Sequence, residues 1–401
     1  MPTSERPKLL VAKGSFLQHG GAERDLIRVL PSFNSIFDVT MATIQTSTEL
    51  EAVCSEQGIE LICPESKWEL STDPLSVILD SSRGTASRAW ASCEGIQGAM
   101  ASAEALHLVS GDGSLPILDH VPSGLPIHLH LLEPHRGLYE DTLHRLVDGS
   151  PKRSLSITKA ALTRARKRDK SLISSLMSRK SSIVSGNSSF SALRAKEVYG
   201  IEAGVLWPCV TEEFTNDSSG DTENPYPGAD EYVVCVGRAS FAKGIWETIT
   251  MLSGTGISLA HVGGGDERSL EKLRSHADSC DVGVWFAPRL PSPELVSLMR
   301  GARAIVSLAH SESFGLTPIE AFAVGTPALF VDEGGFRDTI LDGVNGRLLK
   351  RDDNASWHMA LNQAADVDTR TKWAENGRLR IKELDLSPEA HARRLWDLLH
   401  N

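Results

Sequence analysis

Short apolar runs alternate with amphipathic stretches along most of the chain. In the N-terminal part, the runs of strand length lie at residues 8–13, 38–44, 105–110 and 126–132. The stretch between the first two runs, residues 22–30, places Leu26, Ile27 and Leu30 on one helical face. Strands that alternate with helices in this way predict an α/β fold with a parallel, doubly wound sheet.

The same alternation starts again at Tyr232. Residues 232–236 are a β-rich apolar run that ends at Gly237, and residues 245–252 have the apolar spacing of a helix. Before them, residues 215–231 are acidic and contain Pro, Gly and Ser, which predicts a loop that leads into a second domain. The pattern therefore predicts two Rossmann-like halves in one chain.

Length and composition agree with this organisation. A chain of 401 residues favours two or three domains, and a hydrophobic content of 41% is typical of globular proteins. The predicted divisions are an N-terminal domain at residues 1–207, a C-terminal domain at residues 208–384 and a terminal helix at residues 385–401. The formal net charge of −11 disfavours nucleic acid as a partner.

The chain has the features of a cytoplasmic protein. No apolar run approaches the length of a transmembrane helix, and the first residues lack the long apolar core of a secretory signal. The six cysteines are scattered without a CxxC pair, so we expect neither a disulfide framework nor a zinc site. A reduced, cytoplasmic location fits these features best.

Two carboxylates flank a predicted connection between a strand and a helix. Residues 304–308 read as a buried strand, and Glu312 lies in the loop that follows it. Residues 318–324 read as a helix that Thr317 caps, with Glu320 in its first turn. The sequence thus places both carboxylates beside one helix N-terminus.

This connection has the chemistry of a sugar-nucleotide site. The amides of Gly315, Leu316 and Thr317 would point at an anion in front of the helix. The carboxylates of Glu312 and Glu320 can accept hydrogen bonds from hydroxyl groups. A phosphate beside a polyhydroxylated group is the pattern that a nucleoside diphosphate sugar presents.

A second loop carries two cations. Arg238 and Lys243 lie between the strand at residues 232–236 and a helix that Gly244 opens. Two cations in one loop of this kind suit a diphosphate, because Arg can bind phosphate oxygens bidentately. The alternative is a solvated loop with two unrelated cations.

These segments together resemble the family 4 retaining glycosyltransferases, which have the GT-B fold. The matching pieces are Gly20-Gly21-Ala22-Glu23, Gly237-Arg238 with Lys243-Gly244, His261-Val262-Gly263-Gly264-Gly265, Glu312 and Glu320 around Phe314-Gly315-Leu316, and Gly334-Gly335 with Asp342-Gly343-Val344-Asn345-Gly346. The resemblance implies two facing Rossmann-like domains with a cleft between them, and a terminal helix that returns to the first domain. One departure is that Leu308 and Ala309 stand where many relatives have Pro-Ser.

The resemblance also implies an activity. The protein would be a hexosyltransferase that moves a hexose from a nucleoside diphosphate sugar, of the GDP-mannose or UDP-hexose type, to a hydroxyl acceptor. The acceptor would be a glycan, a lipid-linked molecule or a small molecule, and the reaction would retain the anomeric configuration without a metal or other cofactor. The alternatives are a GT-B-shaped sugar-nucleotide epimerase or hydrolase, and a nucleotide-sugar-binding subunit without turnover.

Residue roles follow from the same resemblance. Arg238 and Lys243 would neutralise the diphosphate, Glu320 would bind the ribose and Glu312 the transferred sugar. The candidate catalytic residues are Arg238, Lys243, Glu312 and His130. The candidate substrate-binding residues are Gly20, Gly21, Glu23, Arg238, Lys243, Gly264, Leu290, Glu312, Phe314, Gly315, Leu316, Thr317 and Glu320.

The histidine of the cleft is ambiguous. Many family 4 enzymes carry a His-x-Pro-x-Arg pattern, but the position four residues before Arg136 is Leu132. His130 is the first candidate and His135 the second, and either could instead be a structural histidine. His128 shares a strand face with His130, but zinc is not expected because no further ligands follow at a typical spacing.

Two further segments have alternative interpretations. The Asp366-Val367-Asp368 sequence is predicted to be a helix end or loop rather than a metal motif. Residues 152–180 hold ten Lys or Arg and one acid, with an apolar helical face at Leu172, Ile173, Leu176 and Met177. They could contact the inner face of an anionic membrane or guide an anionic acceptor. Alternatively, the apolar face packs on its own domain, which is the interpretation that we favour.

Overall fold

The computed structural model describes residues 6–17, 20–66, 68–69, 81–210 and 222–400. The chain divides into two compact units. Unit 1 consists of Met1–Tyr139, Ser156–Thr211 and Leu386–Asn401, and unit 2 consists of Glu140–Leu155 and Glu212–Asp385. The acidic loop predicted over residues 215–231 lies partly outside the described residues.

Strands and helices alternate in both units, as the apolar pattern predicts. The strands are β1 (Lys8–Ala12), β2 (Asp38–Ala42), β3 (Glu60–Ile62), β4 (Ala105–Val109), β5 (Ile127–Leu132), β6 (Ser182–Gly186), β7 (Gly204–Val205), β8 (Tyr232–Val236), β9 (Ser258–Val262), β10 (Val284–Ala287), β11 (Ile305–Ser307), β12 (Ala328–Val331) and β13 (Arg347–Leu349).

The α-helices follow the same order along the chain. They are α1 (Gly21–Ile36), α2 (Thr48–Gln57), α3 (Ser81–Ala91), α4 (Ile96–Ser102), α5 (Arg136–Tyr139), α6 (Leu155–Ala161), α7 (Thr163–Met177), α8 (Ser189–Tyr199), α9 (Ile245–Leu252), α10 (Glu267–Cys280), α11 (Ser292–Gly301), α12 (Thr317–Val324), α13 (Phe336–Thr339), α14 (Asn354–Gln363), α15 (Val367–Leu384) and α16 (Pro388–His400). Short 3₁₀ turns lie at Leu115–Asp119, Thr142–His144 and Phe241–Lys243.

The sheet of unit 1 is seven-stranded, with the order β3-β2-β1-β4-β5-β6-β7. Its paired strands are parallel, and β1 lies between β2 and β4. The strand order reverses between β1 and β4, and open parallel sheets bind ligands beyond the carboxyl ends of strands at such a point. The loop after β1, with the N-terminus of α1, is therefore well placed for function.

The sheet of unit 2 is six-stranded, with the order β10-β9-β8-β11-β12-β13. All of its pairings are parallel, and β8 pairs with β9 on one side and β11 on the other. The reversal of strand order falls between β8 and β11, so the loops after these two strands meet at the carboxyl edge. Those loops carry Lys243 and Glu312, respectively.

Helix α16 packs within unit 1. Ala392 and Leu395 join the core cluster that contains Leu26 and Leu30 of α1. The rings of Phe37 and Trp396 are 5.2 Å apart at their centroids. Burial of these apolar side chains is what holds the end of the chain on the first sheet.

Helix α7 packs its apolar face on its own unit. Ile173 and Leu176 belong to the core cluster of unit 1, and Met177 packs against that cluster. This is the packing that we favoured from the sequence, and it leaves the cations of the helix on its other faces. Within the described parts of the chain, no helix combines the length and apolar character needed to cross a bilayer.

Candidate active site

Two loops of unit 2 bring Lys243 and Glu312 together. Lys243 ends a 3₁₀ turn after β8, and Glu312 follows β11, the neighbouring strand. The Lys243 Nζ donates a hydrogen bond to Glu312 Oε2 across 2.7 Å. Both side chains remain partly accessible, at 34% and 20% exposure. The pair is thus formed at the carboxyl edge of the sheet and can still be reached by a ligand.

Glycines hold the Glu312 loop in place. Gly334 has φ +63°, and a Cβ at this position would lie 2.4 Å from the carbonyl oxygen of Glu312. The Gly335 N–H donates to the same carbonyl oxygen at 2.8 Å. On the other side, a Cβ at Gly244 would lie 1.9 Å from the carbonyl oxygen of Leu308. Only glycine permits these approaches, so the loop has little freedom to move.

The helix that follows Glu312 starts one residue earlier than the sequence predicts. Leu316 is the N-cap and already has helical backbone angles, so Thr317 is the first helical residue and not the cap. No side chain caps this N-terminus, and its first-turn amides have no acceptor inside the helix. Gly315 precedes it with φ +80°, and a Cβ there would lie 2.4 Å from the Phe336 ring. The resulting uncapped N-terminus suits an anion.

The other predicted residues of unit 2 lie along the same edge. Gly264 follows β9, and its carbonyl oxygen accepts a hydrogen bond from the Ala239 N–H at 2.7 Å. Leu290 is half-buried after β10, and Arg238 is exposed after β8. Phe314 is 2% exposed, so its side chain lies inside the unit beneath the loop. Glu320 lies in the first turn of α12 and is half-buried.

Arg351 supports the strand end where the sequence departs from the family pattern. Its guanidinium donates to the carbonyl oxygens of Leu308 and Ala309, and it also pairs with Glu333 at 2.8 Å. Sequence reasoning did not find Arg351, because nothing local links it to residues 308–309. The contact joins the ends of β11 and β13 through a single cation.

The remaining predicted residues belong to unit 1. Gly20 is the N-cap of α1, Gly21 is its first residue, and Glu23 lies in its first turn. Glu23 Oε1 accepts from Lys13 Nζ at 3.0 Å, and the Lys13 side chain is 1% exposed. Lys13 also donates to the carbonyl oxygen of Ser110 at 3.3 Å. Lys13 was missed by sequence reasoning, since a Lys after an apolar strand is usually exposed.

His130 lies in a buried cluster of histidines in unit 1. His107, His128, His130 and His391 are all 2% exposed or less. The Nδ1 atoms of His107 and His128 are 2.8 Å apart, and His391 Nδ1 donates to the Trp207 carbonyl oxygen at 2.7 Å. The ring centroids of His130 and His391 are 6.0 Å apart. Burial lowers the pKa of His130 well below its usual value, so the ring is neutral at pH 7.

The two candidates for the cleft histidine differ in burial. His130 Nε2 has no hydrogen-bond partner among the described residues. His135, the second candidate, is exposed directly before the first residue of α5. An exposed ring can reach a ligand without rearrangement of a core, whereas a buried ring cannot, and the assignment of the cleft histidine stays a prediction.

No site for a metal ion is formed by His, Cys, Asp and Glu side chains in the described parts of the chain. The Asp366-Val367-Asp368 sequence is a helix end, as predicted. Asp366 is the N-cap of α15 and accepts from the Thr369 amide at 2.8 Å. Hydrogen bonds from the Thr369 side chain and amide lower the pKa of Asp366, which is the usual effect of an N-cap position.

Comparison with known sequences identifies the second half of the chain. Residues 221–380 match the family described as glycosyl transferases group 1. The D-inositol 3-phosphate glycosyltransferase of Acidothermus cellulolyticus is 35% identical over 145 residues, which cover 35% of this chain and 30% of that protein. The enzyme of the same name from Frankia alni is 39% identical over 107 residues, or 25% of this chain and 26% of that protein. The chain thus spans less than a third of the length of these curated relatives.

Solved structures resemble the whole chain in fold. Sucrose-phosphate synthase from Thermosynechococcus elongatus superposes with a TM-score of 0.72 at 17% identity, over 98% of both chains. Anabaena HepE in complex with UDP and glucose superposes with a TM-score of 0.65 at 15% identity, over 98% of this chain and 100% of that one. At such identities the likeness concerns the fold. Together with the family match, it confirms the resemblance seen in the sequence: this chain has the GT-B fold, and its residues 221–380 match the glycosyl transferases group 1 family.

Proposed function

We propose that the protein is a retaining hexosyltransferase and that unit 2 binds its nucleoside diphosphate sugar. The observation that supports this most strongly is the pair of Lys243 and Glu312, 2.7 Å apart beside the uncapped N-terminus of α12. A cation, a carboxylate and free amides at one edge of a parallel sheet can bind a phosphate and a sugar hydroxyl at the same time.

Lys243 would act on the leaving group. An ammonium group has three N–H donors, so Lys243 can keep its bond to Glu312 and still donate to a phosphate oxygen. Charge builds up on the diphosphate as the bond to the sugar breaks, and a fixed cation stabilises that charge in the transition state. Arg238, which is exposed in the same loop, would add a second cation.

The two carboxylates would bind different parts of the donor. Glu312 lies next to the cation and is held by Gly334 and Gly335, so it would orient the hydroxyl groups of the transferred sugar. Glu320 lies one turn into α12 and would accept from the ribose hydroxyls. Gly264 and Leu290, in the loops after β9 and β10, would line the position of the base.

The relatives guide the choice of substrates. HepE was solved with UDP and glucose, so UDP-glucose is the first donor to test, with GDP-mannose beside it. The curated relatives act on D-inositol 3-phosphate by name, so a phosphorylated polyol is one acceptor class to test. Retention of configuration, independence of a metal, the identity of the acceptor and peripheral membrane contact through residues 152–180 stay predictions.

Nucleotide binding and transfer can be measured separately. We expect UDP or GDP to bind in a calorimetric titration, and Lys243→Ala to weaken that binding while Lys382→Ala, an exposed cation on α15, does not. Product analysis with UDP-glucose and GDP-mannose, with and without polyol, glycan and lipid acceptors, then identifies the reaction. Release of free sugar without use of any acceptor would favour a hydrolase. Absence of binding by any nucleoside diphosphate would refute the proposal.

A further inference from the structure

Unit 2 contains a cationic cavity beside the loop that follows β8. Its volume is about 430 Å³, which is within the usual range for sites that bind small molecules. One wall is the segment of residues 142–152, and the other is formed by residues 238–242 and the first turns of α10. Its charged lining consists of Arg145, Lys152, Arg238, Arg268, Lys272 and the single carboxylate Asp266.

The segment of residues 142–152 is a tight turn whose backbone is fixed. Arg145 and Pro151 form an antiparallel bridge, and the Leu146 N–H donates to the Ser150 carbonyl oxygen at 2.8 Å. Gly149 has φ +79°, and a Cβ there would lie 3.0 Å from the Phe241 ring. The turn therefore packs closely on the loop after β8, and the cavity between them has two ordered walls.

Arg145 is oriented by this packing. Its guanidinium donates to the Gly149 carbonyl oxygen at 2.8 Å and lies 5.6 Å from the centroid of the Phe241 ring. The Phe241 ring in turn stacks on His310 at 4.3 Å. A guanidinium held over a ring and by one carbonyl keeps other N–H groups available to a ligand.

The positive charge of the cavity is only partly balanced. Asp148 at the tip of the turn pairs with Lys272, and this bond with a second one from Ser150 lowers the pKa of Asp148 to about 2. Lys152 donates to the carbonyl oxygen of Leu143 at 3.0 Å. Within the described residues, neither Arg145 nor Lys152 takes part in an ion pair. This excess of cations stands out in a chain with a formal net charge of −11.

We propose that this cavity binds the phosphate group of a second ligand, the acceptor, and that the acceptor class is therefore a phosphorylated small molecule. The proposal rests on the transfer reaction proposed above. Lys243, Glu312 and Gly315 do not line the cavity, whereas Arg238 lines it and is also a cation of the proposed donor site. A dianionic phosphomonoester matches several cations in one cavity, and an Arg fork binds two of its oxygens at once.

Direct binding of a small phosphomonoester tests the inference. The probe is glycerol 3-phosphate, with glycerol as the uncharged control, titrated calorimetrically at low ionic strength. The variant carries Arg145→Gln and Lys152→Gln, and the matched control carries Lys372→Gln and Lys382→Gln, two exposed cations of α15. We expect the wild-type protein and the control to bind the probe but not glycerol. The cavity variant should bind roughly a hundred-fold more weakly, at about ten-fold for each lost charged hydrogen bond.

A parallel titration with UDP separates this inference from the proposed function. UDP affinity should be unchanged in the cavity variant, and the probe should still bind when UDP is saturating. Equal probe affinity in wild type and cavity variant would overturn the inference. A matching loss of UDP affinity, or displacement of the probe by UDP, would also overturn it, because the cavity would then belong to the nucleotide site. If no nucleotide binds but the probe does, the donor assignment fails and the phosphate site stands.

Discussion

Each unit contains a Lys–Glu ion pair beyond the first strand of its sheet, and the two pairs differ in exposure. Lys13 and Glu23 in unit 1 are 3.0 Å apart, with side chains 1% and 13% exposed. Lys243 and Glu312 in unit 2 are 2.7 Å apart, with side chains 34% and 20% exposed. In a buried pair water cannot replace a lost partner, so removing one member leaves an uncompensated charge in the core. A half-exposed pair can exchange one partner for a ligand, which is what a binding site requires.

The largest effect is expected at the buried pair. Lys13→Ala would leave Glu23 charged and without its cation, and breaking a buried pair in this way costs about 3–5 kcal/mol of folding stability. Urea denaturation of the variant measures this loss. The double variant Lys13→Met with Glu23→Gln removes both charges and should recover part of the stability. A single variant as stable as the wild type would show that the pair is not structural.

At the exposed pair we expect a small change in folding stability and a large change in turnover. Lys243→Ala should change the free energy of unfolding by less than about 1 kcal/mol, because exposed pairs contribute little. Turnover should fall by roughly a hundred- to a thousand-fold, since one fixed donor to a developing anion is lost. Steady-state kinetics measure this fall in turnover, with the donor that the calorimetric titration identifies. Near-normal turnover would mean that Lys243 does not contact the leaving group.

Acid should destabilise unit 1 more than unit 2. Among the described residues, the buried histidines of unit 1 are His107, His128, His130 and His391, whereas unit 2 has His261. Burial lowers the pKa of His128 to about 3 and that of His261 to about 4. The unfolded chain takes up protons near pH 6.5 while these rings stay neutral in the folded state, so stability falls as the pH drops below that value.

At pH 5 the loss of folding stability that comes from His128 is about 2 kcal/mol. Burial raises the pKa of Asp25, which faces His391, and this contribution has the opposite sign. Denaturation followed between pH 8 and pH 5 by hydrogen exchange should show earlier loss of protection in β4 and β5 than in β8 and β9. Equal loss in both sheets would contradict the comparison.

The smallest of these effects is expected from a glycine under the Glu312 loop. Gly334→Ala adds a Cβ that would meet the Glu312 carbonyl oxygen, so it should shift Glu312 and cost about 1–3 kcal/mol. Gly58 in unit 1 has a similar φ of +65° but open space around it, and Gly58→Ala is the matched control. We expect weaker nucleotide binding for Gly334→Ala and unchanged binding for Gly58→Ala. Equal nucleotide affinity in both variants would show that the loop adapts.

The apolar pattern predicted which strands and helices form more accurately than it predicted the residues at which they begin and end. Strand β8, Tyr232–Val236, was predicted with its observed bounds, because a β-rich run ends at a glycine. Helix α12 was predicted one residue short at its start, because Thr317 has the side chain of a cap but Leu316 has the backbone position. Local preferences set the element, whereas packing decides which residue begins it.

The residues of the candidate site that lie in short sequence motifs were predicted, and those outside such motifs were not. Lys243 and Glu312 are 69 positions apart and were assigned to one site from the motifs of two separate loops. Arg351 and Lys13 were not found, because each acts through a contact with a distant backbone or carboxylate group. His130 was predicted from its place near Arg136, while its burial beside His107 and His391 depends on three separate elements.

The path of the chain between the two units has a consequence for synthesis. The chain leaves unit 1 after Tyr139, returns at Ser156, leaves again after Thr211 and returns at Leu386. During translation, unit 1 lacks helix α16 and the core contacts of Leu395 until all of unit 2 has been made. The first unit to begin folding is therefore the last to be completed, and an early stop before residue 386 would leave the surface beneath α16 open to chaperones and proteases.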